Sequence, residues 1–229
     1  MKQNVASAIV LKRTNFGEAD RIIRVLTPER GKITLMAKGV RKVNSKIAGS
    51  IELFSVIDIT YLLGKGSIER LISARLKKHF GNIVKDINRT NAGYDFIKVI
   101  DKITEDELDN VWFDLLAQSF EFLNNESIDS NIIKIWFYLY VLNITGHLPN
   151  LVTDTQGNNF TEHTSYNFSL DMMSFEPFDK GEYSSDQIKI LKLASQYGPD
   201  KLMNIKGINS LSEAIYPLVL KISRISLEL

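Results

Sequence analysis

From Val5 to about Lys78 the hydrophobic pattern is that of short β-strands broken by turn residues. Residues 5–11, 21–27, 33–37, 51–62 and 68–76 read as five strands rich in Ile, Val and Leu. Asn15-Phe16-Gly17-Glu18 reads as a turn, because Asn and Gly tolerate positive φ. In Thr27-Pro28-Glu29-Arg30-Gly31-Lys32, Pro presets φ and Gly closes a tight hairpin. Five strands within about 75 residues predict a small barrel, for which a five-stranded oligonucleotide/oligosaccharide-binding (OB) fold is the natural candidate.

After Phe80 the period changes to three and four. Ile83, Ile87, Tyr94, Ile97 and Ile100 predict a helix over 86–102. Thr104-Glu105-Asp106-Glu107 reads as an N-cap with acids in the first turn of a helix through Val111, Leu115, Phe120 and Leu123. Asp129-Ser130-Asn131 opens another, which Gly146 and Pro149 stop. Its Trp136, Phe137, Tyr138 and Tyr140 read as core rather than as a base-stacking platform, since buried bundle helices carry such residues. Residues 150–183 form an irregular insertion in which 166–170 alternates like a hairpin strand. Ser184-Ser185-Asp186-Gln187 caps a further helix, and Ser210-Leu211-Ser212-Glu213 opens the last despite Pro217. The expected class is α+β, with an OB barrel over 1–80 and an α-helical domain over 81–229.

Charge sharpens this division. The net charge of +1 conceals sixteen Lys and Arg against six Asp and Glu in residues 1–80, leaving twelve against twenty-one in 81–229. A basic module joined to an acidic body points to a polyanionic ligand for the former. Its densest part is Lys38-Gly39-Val40-Arg41-Lys42-Val43-Asn44-Ser45-Lys46, four cations in nine residues with no acid. Cations that meet phosphates release condensed counterions, so this loop suits a nucleic-acid backbone; the competing reading is a solvated hairpin tip.

Other chemistry is sparse. With no cysteine there is no disulfide framework, thiol nucleophile or cysteine-ligated metal. His147 and His163 lack a third ligand, and Gly64-Lys65-Gly66-Ser67 lacks the spacing of a phosphate-binding loop. Asp106, Glu107 and Asp109 read as a solvated helix face. Neither a nucleophile–base pair nor a compelling carboxylate cluster is visible, so no enzyme, cofactor or metal is expected. No apolar run approaches the ~20 residues of a membrane span. The N-terminal run is too briefly apolar for a signal peptide and reads as the first strand of a cytoplasmic protein without a membrane partner.

The run from Ile9 to Arg21 (IVLKRTNFGEADR), followed by Leu26-Thr27-Pro28-Glu29-Arg30-Gly31-Lys32, resembles the opening of the bacterial RecO recombination mediator family. Ala37-Lys38-Gly39-Val40-Arg41-Lys42, Gly49-Ser50-Ile51-Glu52-Leu53-Phe54 and Gly146-His147-Leu148-Pro149-Asn150-Leu151 continue the resemblance. It implies a DNA repair and recombination protein without enzymatic chemistry. Such proteins bind single- and double-stranded DNA, anneal strands, and with the RecR partner help RecA replace single-strand-binding protein. By similarity Lys38, Arg41 and Lys42 contact the DNA backbone, with Arg13 and Arg21 as neighbours and Lys46 on the same loop. For Arg13 and Arg21 a pairing with Glu18 or Asp20 that pins the turn stays equally open. The family's binding of the single-strand-binding protein C-terminal tail makes Lys134 a candidate for its carboxylate. Many relatives carry a zinc-binding cysteine pair where this chain has Thr153 and Gln156, so the insertion is expected to hold itself by packing and hydrogen bonds. The alternative function is an adaptor or scaffold with an RNA-contacting barrel.

Overall fold

The computed structural model describes residues 3–64, 66–104 and 110–229. It divides into two compact units, Met1–Asn125 and Glu126–Leu229.

The first unit begins with five strands, β1 (Gln3–Phe16), β2 (Asp20–Thr27), β3 (Gly31–Ala37), β4 (Ser55–Leu62) and β5 (Ile68–His79). They close into a barrel in the order β1-β2-β3-β5-β4, the arrangement expected of an OB fold. A parallel pairing of Thr34, Leu35 and Met36 with Ile68, Glu69 and Arg70 completes the ring. The inward positions Ala8, Val10, Ile23, Val25, Leu35, Ile57, Ile59 and Leu71 fill it. Small barrels leave no lumen once branched side chains occupy alternate positions. A bulge between Val10 and Lys12 shifts the register of β1 on β2, so that Arg13 faces Ile23 across the ladder.

The strand boundaries differ from the pattern-based ones in instructive ways. β1 runs on to Phe16, and the turn is confined to 17–19. β4 starts at Ser55 rather than at 51. A 3-10 turn at Ala48–Ser50 and a left-handed Phe54 (φ 55°) break the extended backbone, and Ile51 is buried in the barrel core instead. Phe54 meets Tyr94 and Phe120 edge-on at 5.2 and 5.5 Å. Gly93 permits this approach, since a Cβ there would lie 2.6 Å from the Phe54 ring.

Two helices complete the unit, α1 (Ile87–Ile103), capped by Asp86, and α2 (Asn110–Asn124). Thr104 ends α1, its hydroxyl donating to the Ile100 carbonyl at 2.6 Å. The other residues of the proposed cap, 105–107, and the acids Asp106, Glu107 and Asp109 lie outside the described residues.

The second unit carries α3 (Ser130–Ile144), a sheet of β6 (Ser165–Ser169), β7 (Ser174–Pro177) and β8 (Tyr183–Ser184), then α4 (Ser185–Gln196), α5 (Pro199–Leu202) and α6 (Ile208–Ser226). Asp129 caps α3, and Ser184 with Gln187 forms the full capping box of α4. Trp136, Phe137 and Tyr138 are buried, and Tyr140 is half-buried. α6 begins at Ile208, ahead of the expected serine cap; Ser212 lies inside the helix, and its hydroxyl donates to the Asn209 carbonyl.

The insertion is organised by Asp154, only 5% exposed. Its carboxylate accepts the N–H groups of Gln156 and Asn158, both at 2.9 Å, and its own N–H donates to the Asn158 carbonyl. Beside this turn Phe160, Tyr166, Phe168 and Tyr183 surround Phe175 or one another edge-on at 5.1–6.0 Å. Charge-assisted hydrogen bonds and aromatic packing thus meet in a segment without cross-links. Asp154→Ala is expected to cost about 2–3 kcal/mol, the loss of two hydrogen bonds to a charged acceptor. Amide exchange at Gln156 and Asn158 should accelerate correspondingly; unchanged protection would place the organising contact elsewhere.

Candidate nucleic-acid interface

The loop between β3 and β4 is bound to the 17–19 turn of the first hairpin. Gly39 occupies the left-handed region (φ 67°), which suits a residue without a Cβ, and its N–H donates to Asp20 Oδ1 at 2.7 Å. The Arg41 N–H donates to the Ala19 carbonyl at 2.9 Å, and Arg41 Nη1 to the Gly17 carbonyl at 3.1 Å. Val40 is buried among the barrel core residues together with Ile51. Turn bonds from Lys42 N–H to the Gly39 carbonyl and from Ser45 N–H to the Lys42 carbonyl continue the path. Apolar and backbone anchors therefore alternate with cations, and Lys38, Arg41, Lys42 and Lys46 are left exposed.

None of these four has an acidic partner among the described residues. Arg21 is steadied by a neutral bond, Nε to Asn15 Oδ1 at 3.1 Å. A depression of about 400 Å³ opens beside the loop, lined by Arg21, Val40, Arg41, Lys42, Ala48, Gly49 and Glu52. Arg13 is placed differently from the others, in an ion pair with Glu52 at 2.5 Å. That pair neutralises the one acid of the depression. Neither Arg13 nor Arg21 pairs with Glu18 or Asp20; the turn is pinned by Asp20 receiving a backbone N–H instead.

Several cations counted in the basic excess are engaged inside the unit. Arg24 binds both oxygens of Asp101 at 3.0 and 2.9 Å, and Lys32 reaches the Asp101 carbonyl at 2.5 Å. Arg30 bonds Tyr61 and Glu69 at 3.1 and 2.9 Å, Lys78 pairs with Glu121, and Lys77 lies 4.0 Å from Asp58. The Tyr61 hydrogen bond first, and Glu69 after it, hold the Arg30 guanidinium above its ordinary pKa against the effect of burial. Arg70 and Arg75 on β5 are exposed without an acidic partner among the described residues, a second group of cations outside the 38–46 loop. The sequence signal for it is two arginines on the strand 68–76 within the basic module.

The residues at 153 and 156 do not fit a zinc site. A hydroxyl and an amide are neutral donors, and zinc takes thiolate, imidazole or carboxylate. Among the described residues no three His, Asp or Glu side chains gather as a metal site. Lys134 places its ammonium 4.2 Å from the Tyr216 ring centroid. Among the described residues no helix is long and apolar enough to cross a membrane.

Comparison with known proteins agrees with this architecture. The family models described as Recombination protein O N terminal and C terminal match residues 1–80 and 84–224. The "DNA repair protein RecO" of Desulfatibacillum aliphaticivorans is 34% identical over 148 residues, covering 63% of this chain and 57% of that protein. That of Listeria monocytogenes serotype 4b is 28% identical over 204 residues, covering 86% and 79%. That of Dehalococcoides mccartyi is 30% identical over 145 residues, covering 63% and 56%. In the first and third of these the match therefore spans little more than half of the relative's length.

If the Asp20 carboxylate fastens the loop, Asp20→Ala should raise the rate of limited tryptic cleavage after Arg41 and Lys42 several-fold, with cleavage elsewhere unchanged. Equal rates in both proteins would show that Val40 and the Arg41 contacts hold the loop alone.

Proposed function

The chain belongs to the RecO family of recombination proteins, and from that premise we propose that it is a DNA repair and recombination mediator whose barrel binds single- and double-stranded DNA through the loop at 38–46. The observation that carries this reading is the fastened cationic loop, with Lys38, Arg41, Lys42 and Lys46 exposed and without acidic partners among the described residues. Side chains held on an anchored backbone lose less freedom on binding phosphates than those of a floppy tip.

Residues 1–80 are the DNA-binding domain, and 81–229 the helical domain that meets protein partners. Binding is electrostatic: each phosphate neutralised releases counterions, and two complementary strands gathered on one cationic surface repel each other less, which promotes annealing. The partners carried over from the family are RecR and the single-strand-binding protein tail, and the outcome is RecA loading on DNA coated with that protein, in the cytoplasm. No step makes or breaks a covalent bond.

The test is affinity for single-stranded DNA, duplex DNA and RNA across a salt series. For single strands, log affinity should fall with log salt at about −0.7 per phosphate contacted. Lys38→Glu combined with Arg41→Glu should lower DNA affinity at least tenfold, flatten the slope and slow annealing, with the barrel still folded although the Arg41–Gly17 bond is lost. Wild-type affinity and slope in that variant would remove the loop from the interface. A preference for RNA without annealing would make the protein an adaptor.

A further inference from the structure

We propose that Phe16 is a base-stacking residue that gives this surface a selective grip on single strands; the inference rests on the barrel being a DNA-binding module. Of the barrel's aromatic residues, Phe54 and Tyr61 are buried to 2% exposure, whereas Phe16 is 51% exposed. Its ring stacks on no other aromatic ring and lies under no cation among the described residues. An exposed large apolar side chain is unremarkable singly, but its place here is specific.

Phe16 is the last residue of β1 and pairs across the ladder with Asp20, the residue that holds the Gly39 N–H. Its chain neighbour Gly17 accepts the Arg41 guanidinium at 3.1 Å. The hydrogen bonds that fasten the cationic loop thus bring it to the turn that presents this ring. The β1–β2 loop of an OB fold is one of the two loops from which such barrels bind oligonucleotides. Cations for the backbone beside an aromatic for the base are the two components of single-strand recognition.

The two components are separable. Phosphate contacts determine the salt dependence, while stacking on a π-face is tolerant of sequence and insensitive to salt. In a duplex the faces of the bases are already covered by their neighbours, so the ring has nothing to stack on there. A base held by its face keeps its pairing edge open to a complementary strand, which is the geometry annealing requires.

Binding of fluorescein-labelled dT oligomers and of a random-sequence duplex to the full chain and to Phe16→Ala and Phe16→Leu provides the test. Phe16→Ala should weaken single-strand binding roughly 5- to 150-fold, the range for one lost stacking contact, with the salt slope and duplex affinity unchanged. Phe16→Leu, which keeps an apolar side chain without a π-face, should be impaired as well. Phe16→Trp should bind like the parent, with its indole emission quenched by dT oligomers and not by the duplex. Parent-like single-strand binding by Phe16→Ala, or equal losses on single strand and duplex, would overturn the stacking role. If that happens while Lys38→Glu/Arg41→Glu still lowers DNA affinity at least tenfold, the DNA-binding reading survives without Phe16; parent-like binding by both variants would remove both.

Discussion

One carboxylate, that of Asp20, joins two segments on which the candidate site depends. By receiving the Gly39 N–H it ties the β3–β4 loop to the end of the first hairpin, and the Arg41 contacts to the Ala19 and Gly17 carbonyls complete the fastening. Without it nine residues containing four like charges would favour an extended, self-repelling conformation. With it, and with Val40 inserted in the barrel core, the backbone that carries the charges is held against the barrel, and Arg41 and Lys42 line a depression together with Arg21. A neutral acceptor would hold the same N–H less strongly, since hydrogen bonds to ionised acceptors are about twice as strong as neutral ones.

Apart from Lys12, Arg70 and Arg75, the described cations of the first eighty residues thus fall into two populations. Arg13, Arg24, Arg30, Lys32, Lys77 and Lys78 face acids of their own unit, three of them joining strands to the helices through Asp101 and Glu121. These have structural partners whose removal would leave charges uncompensated. Lys38, Arg41, Lys42 and Lys46, with Arg21 beside them, are the population available to a ligand. The first fastens the barrel to its helices, and the second is what an approaching polyanion meets.

Much of the fold was legible because the barrel turns are written in Gly, Pro and Asn and its strands in branched residues. Asp129 and Ser184 likewise announce helices through caps that act within a few residues. What escaped depends on distant pairs. Asp20 and Gly39 are 19 positions apart, and nothing local to either marks the bond. The engagement of Arg24 and Lys32 by Asp101 could not be subtracted from a charge count that knows no neighbours. Ile51 and Phe54 look like strand residues by composition, yet a left-handed backbone and an aromatic contact made possible by Gly93 draw them out of the ladder. In the insertion the absence of cysteines stated the problem, and Asp154 with its surrounding aromatics is the solution that only coordinates reveal.

The most direct examination of a loop-centred interface is acetylation footprinting of lysines by mass spectrometry, with and without a saturating dT oligomer. Lys38, Lys42 and Lys46 are expected to become protected while the equally exposed Lys98 and Lys206 stay reactive. Unchanged reactivity at the three loop lysines under saturation, or protection confined to Lys98 and Lys206, would contradict it.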